Sequence, residues 1–424
     1  PIRNPNFAMA GYELCETELN LPEVKRFIEN SDLNFDIVIV ETVITPCFLV
    51  IPYKLGVPFI GISSLPPNLG VHSSVGNPMH PAYSPDFLLG YTHSLTFLQR
   101  IHSTLHLIVY TLADKFWNMP LQDALVRRIF NNISMPNIED LIKNVSLVLV
   151  NSHYSFYYPR PNVLNMVEIG GLHLSTPRPL PKELQDFLDG ALEGVIYFSL
   201  GTNVKCDTMT AEKRQVFLDV FSALPKFRVL WKWDGDEIPR KPRNVEIAKW
   251  FPQQDILAHP NIKLIIYQGG LQSTEEALRA QVPLIGIPFF ADQDLNVEKI
   301  VNAGAGKRLE FNDITKEVLL NSIKEVVYDL TYKKNMIQLS KITQDQSQTA
   351  MERAVWWIEY VIRHKGAHHI RSATVDLTWY QYLLLDVILF LTVITIVIIL
   401  ITYKLSRFLN RNIRYLPKFK FKSH

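Results

Sequence analysis

Short, nearly continuous apolar runs rich in β-branched residues recur along the chain. FDIVIV (Phe35–Val40) and PFIGIS (Pro58–Ser63) come first, then SLVLVN (Ser146–Asn151), GVIYFSLG (Gly194–Gly201) and RVLWKW (Arg228–Trp233). VEIAKW (Val245–Trp250), KLIIYQGG (Lys263–Gly270) and PLIGIPF (Pro283–Phe289) follow. Apolar character without alternation is what strands covered on both faces require. Between these runs lie amphipathic segments such as 271–279 and 292–301, which have a helical period. Strand alternating with helix predicts parallel α/β sheets with right-handed crossovers. The stretch HLSTPRPLPK carries Pro177, Pro179 and Pro181 and predicts an extended linker over 173–183. That linker divides an α/β domain at 1–172 from a second at 184–344. A helical return segment, 345–378, contains a long helix over Ala350–His364.

A different pattern closes the chain. Residues 383–403, LLLDVILFLTVITIVIILITY, are long enough as a helix to cross a hydrocarbon core of about 30 Å. Asp386 sits near one end, where its carboxylate reaches the interface, and Trp379, Tyr380 and Tyr382 flank that end as an aromatic belt. The tail, 404–424, carries Lys404, Arg407, Arg411, Arg414, Lys418, Lys420 and Lys422 and no acid. It reads as cytosolic by the positive-inside rule, which puts the body on the opposite side of a membrane.

Composition narrows the classes. The 424 residues are 47% hydrophobic and 20% charged, which excludes a disordered chain and suits two or three domains. The net charge of +2 conceals basic residues crowded at one terminus, so a nucleic-acid-binding face is not expected. Three cysteines (Cys15, Cys47, Cys206) cannot build a disulfide framework or a thiol-bound zinc site. Sequons at Asn132 and Asn144 are compatible with a lumenal body, although Asn144 leads into an apolar run and is expected to be buried. The chain opens at Pro1 without an initiator Met or an apolar leader, which predicts an N-terminally incomplete sequence.

Ligands of parallel α/β sheets gather outside the carboxyl ends of the strands. Four clusters follow strands of the second domain: Gly201-Thr202-Asn203, Phe251 to Asp255, Gln268 to Glu276, and Phe290 to Asp294. Gly269-Gly270 allows close backbone approach, and the helix that follows offers unpaired N–H groups to a diphosphate. Ser273 or Thr274 is suited to cap that helix or to donate to phosphate. Glu276 is an acceptor for vicinal ribose hydroxyls, Trp250 a flat face for a uracil ring, and Asp292 with Gln293 an acceptor and donor for sugar hydroxyls. Taken alone, these features imply a phosphorylated ligand in a crevice.

Three segments carry a resemblance. Trp250-Phe-Pro-Gln-Gln-Asp-Ile-Leu-Ala-His-Pro260, Gln268-Gly-Gly-Leu-Gln-Ser-Thr-Glu-Glu276 and Val282-Pro-Leu-Ile-Gly-Ile-Pro-Phe-Phe-Ala-Asp-Gln293 resemble the donor signature of the UDP-glycosyltransferase family. The likeness is closest to its animal membrane-bound glucuronosyl- and glucosyltransferase branch, with an arthropod flavour. Asn151-Ser-His153 and Glu168-Ile-Gly-Gly-Leu-His173 resemble the family's inter-domain region. The resemblance implies two Rossmann-like domains facing each other across a cleft (the GT-B arrangement) plus one C-terminal transmembrane helix. It implies inverting, metal-independent transfer from UDP-glucose or UDP-glucuronate to small lipophilic hydroxylated acceptors, with no cofactor, in conjugation and detoxification at the endoplasmic reticulum membrane. Trp250 and Gln253 would face base and ribose, and Glu276 the ribose. Thr202, Gln268, Gly269, Gly270 and Ser273 would meet phosphates, and Asp292 and Gln293 the sugar. Gln268 stands where many members have His, so donor affinity should depend less on pH.

Glu41, at the carboxyl end of the first predicted strand, matches the family's acidic position. It would orient an imidazole acting as general base. The resemblance puts that His upstream of Pro1; His72, His80 and His93 are expected to be packing or surface residues. The pairs His102/His106 and His364/His368 have i,i+4 ligand spacing but lack the Glu of a zincin, so no metal site is expected. The aromatic and aliphatic stretch 65–130, with Phe87, Leu88, Tyr91, Phe97, Leu105, Tyr110, Phe116 and Trp117, reads equally as an acceptor pocket or as helical core. A non-catalytic, membrane-anchored UDP-sugar-binding partner of an active relative is the alternative function, and self-association or association with a relative stays open.

Overall fold

The computed structural model describes residues 7–30, 34–92, 94–157 and 159–413. Two compact units result, residues 1–372 and 373–424. In the first, β1 (Val38–Glu41), β2 (Phe59–Ser63), β3 (Val148–Val150) and β4 (Met166–Glu168) form a parallel sheet in the order β1-β2-β3-β4. A second parallel sheet contains β5 (Val195–Ser199), β6 (Arg228–Lys232), β7 (Val245–Ala248), β8 (Ile262–Tyr267), β9 (Leu284–Gly286) and β10 (Gly306–Arg308). Its order is β10-β9-β8-β5-β6-β7. The chain therefore runs outward from β5 to β7, returns to β8 beside β5, and continues the other way. This is the doubly wound order of a dinucleotide-binding fold, and its switch point lies between β5 and β8.

The apolar runs explain these strands. All five residues of β5 are buried, Val195 and Tyr197 packing into a core on one face and Ile196 and Phe198 into a core on the other. Phe198 stacks on Phe217 with centroids 4.8 Å apart and meets Trp231 at 5.1 Å. Two strands escaped the hydrophobic pattern, β4 and β10. Both close the edge of a sheet, and edge strands need neither two apolar faces nor length; β10 reads Gly-Lys-Arg.

The halves share cores. Phe87, Phe156 and Tyr157 pack in one cluster with Leu271, Leu295, Val297 and Ile300 of the second sheet's helices. The predicted return helix forms at Ala350–Arg363 and comes back to the first sheet, where Ala354 and Val361 pack with Ile60, Leu147 and Leu149. Residues 174–180 are extended, and helix begins at Lys182, inside the segment read as linker. That extended strap is fastened to the Gln253–Leu257 helix: Ser175 N donates to Gln254 Oε1 (3.0 Å) and Arg178 N to Asp255 Oδ1 (2.8 Å).

Other expectations change. Cys15 and Cys47 are bonded as a disulfide, while Cys206 is buried as a thiol; a count too low for a framework still allows one bridge. Asn144 is exposed, because it precedes the buried run rather than joining it. The aromatic stretch divides. Phe87 and Leu88 join the core, whereas Phe97, Leu105, Phe116 and Trp117 are exposed along the Phe97–Ala113 helix and the π-helical turn that follows it. Pro120, two residues into the next helix, has no amide hydrogen for a regular α-turn there.

The second unit is dominated by the helix Leu385–Ile413, of which Leu385–Arg411 is long and apolar enough to cross a membrane. Trp379, Tyr380 and Tyr382 lie on a short helix before it. The basic residues from Arg414 onward and His93 lie outside the described residues.

Replacing Cys47 by Ser should lower the unfolding free energy by roughly 2–4 kcal/mol, since the bridge closes a loop of 32 residues. Urea denaturation with and without reductant checks this; a wild-type midpoint that ignores reductant refutes it.

Candidate functional site

The switch point positions the site. Gly201 follows β5 with φ +78°, and a methyl there would overlap Gln268 Nε2, which follows β8. Gly269 has φ +95°, and a Cβ would lie 2.7 Å from Val297 Cγ2 and 2.8 Å from Gln293 O. Only glycine lets these turns pack so closely. Gly270 is the N-cap of the Leu271–Ala280 helix and carries no side-chain cap; of the amides that could face an anion there, that of Leu271 is taken by Asp292. The expected Ser273 or Thr274 cap does not form. Thr274 turns inward and donates to Gly270 O (2.9 Å), and Ser273 Oγ instead accepts from Gln253 Nε2 (2.9 Å).

Gln253 also donates to Glu276 Oε2 at 2.6 Å, joining three expected site residues. Asp292 reaches the same helix start: its carboxylate accepts from the Leu271 amide and from Asn296 Nδ2 at 2.6 Å. Burial outweighs these donors and pushes its pKa up to about 6. Asn296 donates a second hydrogen to Gly269 O (2.9 Å) and accepts from Tyr157 OH (2.7 Å), which ties the Gly-Gly turn to the first half of the chain. Gln293 Oε1 accepts from the Phe289 and Phe290 amides (2.9 and 3.2 Å), so its side-chain NH2 is the group it offers outward. Trp250 is 70% exposed and Thr202 is exposed.

Glu41 stands at the end of β1. Its Oε1 accepts from the Thr42 and Val43 amides (both 3.1 Å) and its Oε2 from the Ser64 amide (3.3 Å). Burial nevertheless raises its pKa. The carbonyl of the same residue faces the second half: Ser64 O accepts from Gln272 Nε2 (2.9 Å) and from Asn151 Nδ2 (3.3 Å). One residue thus separates the acidic candidate from the helix at the donor crevice.

Sequence reasoning missed the polar cluster behind Glu276. His173 Nε2 lies 3.5 Å from Glu276 Oε1 and 3.3 Å from Gln272 O, and its Nδ1 lies 3.6 Å from Glu275 Oε2. Burial disfavours the charged ring, but the hydrogen bond it donates to Glu276 and the charges of both carboxylates together raise its pKa. Glu275 is buried and its pKa rises to about 7, mainly through desolvation; Asn151 donates to it at 3.4 Å. Asn151 Oδ1, His153 Nε2 and Gln268 Oε1 are buried without a protein partner, the mark of atoms left for a ligand or water. Of these residues, Gln268 and Glu276 were expected at the site, Asn151, His153 and His173 were legible only as part of the inter-domain resemblance, and Glu275 carried no signal of its own.

Four of the histidines singled out earlier have partners within the first half of the chain. His72 is buried, bonded to Asn77 Nδ2 (2.8 Å) and Arg160 Nη1 (2.7 Å), and burial drives its pKa down to about 3. His80 stacks on Tyr83. His102 pairs with Tyr91 and His106 lies 3.9 Å from Asp86, so the two rings look to different partners.

A doubly wound sheet with a helix starting at its switch point, facing a second parallel sheet, defines a two-domain nucleotide-sugar glycosyltransferase. The family model described as "UDP-glucoronosyl and UDP-glucosyl transferase" matches residues 6–418, and the chain belongs to that family. It is 39% identical to UDP-glycosyltransferase UGT5 of Dactylopius coccus, covering 89% of this chain and 72% of that one. It is 40% identical to UDP-glucosyltransferase 2 of the same organism (92% and 74% covered). Human UDP-glucuronosyltransferase 2B7 is 33% identical (91% and 72%). Among solved structures, the glycosyltransferase VinC in complex with dTDP aligns with TM-score 0.56 at 16% identity over 84% of this chain and 79% of that one, a likeness of fold. The glycotransferase of kitacinnamycin aligns with TM-score 0.56 at 19% identity (85% and 84%).

His173, Glu275 and Asp292 all hold protons more tightly folded than their ordinary values of 6.5, 4.5 and 3.8. The folded state therefore binds the extra protons, and stability falls as pH rises through the folded pKa values, about 6 to 7 for the two acids. Glu275→Gln should remove on the order of 2 kcal/mol of that fall between about pH 5 and 8. Urea titrations at both ends measure it, and an unchanged slope refutes it.

Proposed function

We propose that this transferase moves glucose, or in second place glucuronate, from its UDP donor to a hydroxyl of small lipophilic compounds, in conjugation and detoxification. The observation that carries the reading is the β5/β8 crevice, where Gly201, Gln268, Gly269 and the start of the Leu271–Ala280 helix meet, one residue away from Glu41. In this reading the helix start and the Thr202 and Gln268–Gly270 turns hold the diphosphate, with Ser273 beside them. Trp250 stacks on uracil, Gln253 and Glu276 hold the ribose, and Asp292 and Gln293 orient the sugar. Glu276 has acceptor capacity beyond its bond from Gln253, which vicinal hydroxyls can use.

The chemistry is an inverting displacement without a metal. The acceptor oxygen attacks the anomeric carbon, the bond to the β-phosphate breaks, and the acceptor proton passes to a general base. Backbone N–H groups at the helix start stabilise the departing UDP. Glu41 is assigned to orient the base. Its hydrogen bonds go to Thr42, Val43 and Ser64, so the imidazole is assigned to a residue outside this chain's described segments. Glucose is favoured because Asp292 is held by Asn296 and an amide rather than by a cation that would also suit a glucuronate carboxylate. The 40% identity to a named UDP-glucosyltransferase points the same way.

We assign the Leu385–Arg411 helix to the endoplasmic reticulum membrane, with the body lumenal and the basic tail cytosolic. The Cys15–Cys47 bridge supports an oxidising compartment. The boundaries 1–172, 173–183, 184–344 and 345–378 remain the proposed division of the body.

Calorimetry with UDP tests the site: Glu276→Ala should weaken binding about 10- to 100-fold, as loss of a charged hydrogen-bond acceptor does. Unchanged affinity would remove Glu276 from the donor site. The 424-residue chain should bind UDP yet turn over a phenol slowly with UDP-glucose. Fast turnover that survives Glu41→Ala would overturn the assigned acid and base.

A further inference from the structure

Glu276 is addressed from two sides. Its Oε2 accepts from Gln253 Nε2 at 2.6 Å, and its Oε1 lies 3.5 Å from His173 Nε2. Gln253 has no further hydrogen to give, because the second one on its amide goes to Ser273 Oγ (2.9 Å). Among the described residues, the group that addresses Oε1 is therefore His173. Each oxygen of a carboxylate has two acceptor positions, so one on each is spent on the protein and one on each remains. Two oxygens with one remaining position apiece match the vicinal hydroxyls of a ribose, one hydroxyl to each oxygen.

The surroundings of the ring decide which hydrogen it gives. Nδ1 lies 3.6 Å from Glu275 Oε2, while Nε2 faces Gln272 O (3.3 Å) as well as Glu276. All three neighbours are acceptors, and a neutral imidazole has a single N–H. The arrangement closes when one proton sits between Nδ1 and Glu275, on either atom. Nε2 then keeps its own hydrogen and shares it between Gln272 O and Glu276 as a three-centre bond. Glu275 is itself buried and pinned by the Gly171 amide and by Asn151 Nδ2 (3.4 Å). Glu275 thus orients the ring, and the ring orients Glu276.

Fastening the strap does not need this imidazole. The backbone does that work: His173 O accepts from Gln254 Nε2 (3.2 Å), and Ser175 N and Arg178 N reach Gln254 and Asp255. The His173 side chain is 27% exposed, so it does not fill a core either.

We propose that His173 is a positioning residue for donor recognition. Its Nε2–H holds Glu276 so that the two carboxylate oxygens take the 2′- and 3′-hydroxyls together, which makes the site select a ribonucleoside diphosphate over its 2′-deoxy counterpart. This deepens the UDP-sugar reading of the crevice and rests on it. Nucleotide choice is then set by a residue of the strap between the halves, outside the sheet that carries the crevice.

Calorimetry on the full chain with UDP and 2′-deoxy-UDP tests the assignment. The wild type should bind UDP at least about 10-fold more tightly than the deoxy form. His173→Leu should weaken UDP about 5- to 10-fold and the deoxy form less than about twofold, so that the preference collapses. His173→Gln returns an N–H at similar reach and should bring the preference back to within about threefold of the wild type. Deoxy-UDP binding by both variants shows that the fold survives. If His173→Leu weakens both nucleotides alike or keeps the preference, or if Gln fails to rescue it, the inference is overturned while the donor reading stands. A wild type that binds UDP without preferring it removes Glu276 from the ribose and the inference with it. A wild type that binds neither nucleotide removes the donor reading itself, and this inference falls too.

Discussion

The backbone of Ser64 is the contact on which the geometry of the site depends. Its N–H holds Glu41 and its carbonyl receives Gln272 and Asn151, so the end of one sheet is registered against the helix of the other to within a hydrogen bond. The backbone of one residue has no side-chain freedom, so the bridge is loosened only by the side chains at its two ends. Asn296 does the same service on the far side. Its amide spans Gly269, Asp292 and Tyr157, all buried, and its hydrogen-bonding capacity is matched by those three partners.

Around that frame, burial rather than charge pairing sets the electrostatics. Glu41, Glu275 and Asp292 are all pushed up by desolvation despite good donors. Of the three, Glu275 is raised furthest, to about 7, and Asp292 to about 6. His173, wedged between Glu275 and Glu276, has its pKa raised by both carboxylates.

Much of this was open to reading from the sequence, for a physical reason. Strands covered on both faces must be apolar throughout, so β5 and β8 announced themselves, and the carboxyl-end rule then pointed to Gly201, Gln268 and Glu276. The motif Gln253-Gln254-Asp255 was legible as a unit but not in its division of labour. Gln253 turns to the crevice, whereas Gln254 and Asp255 grip the strap between the halves. The edge strands β4 and β10 and the cluster of Asn151, His173 and Glu275 were not legible. Edges tolerate polar residues, and contacts between residues 124 apart, such as Asn151 with Glu275, leave no local periodicity. The outward turn of Phe97, Leu105, Phe116 and Trp117 was misjudged because helical spacing reports which residues share a face and not which way that face looks.

The backbone passes between the two sheets twice, once along the strap at 174–180 and again where the Ala350–Arg363 helix returns to the first sheet. Two separate crossings act like the paired pins of a door: sliding and twisting would stretch one of them, whereas swinging about the line that joins them stretches neither. A swing about that line would also have to part Gln272 from Ser64 and Tyr157 from Asn296, so the crevice widens only as those two bonds give way.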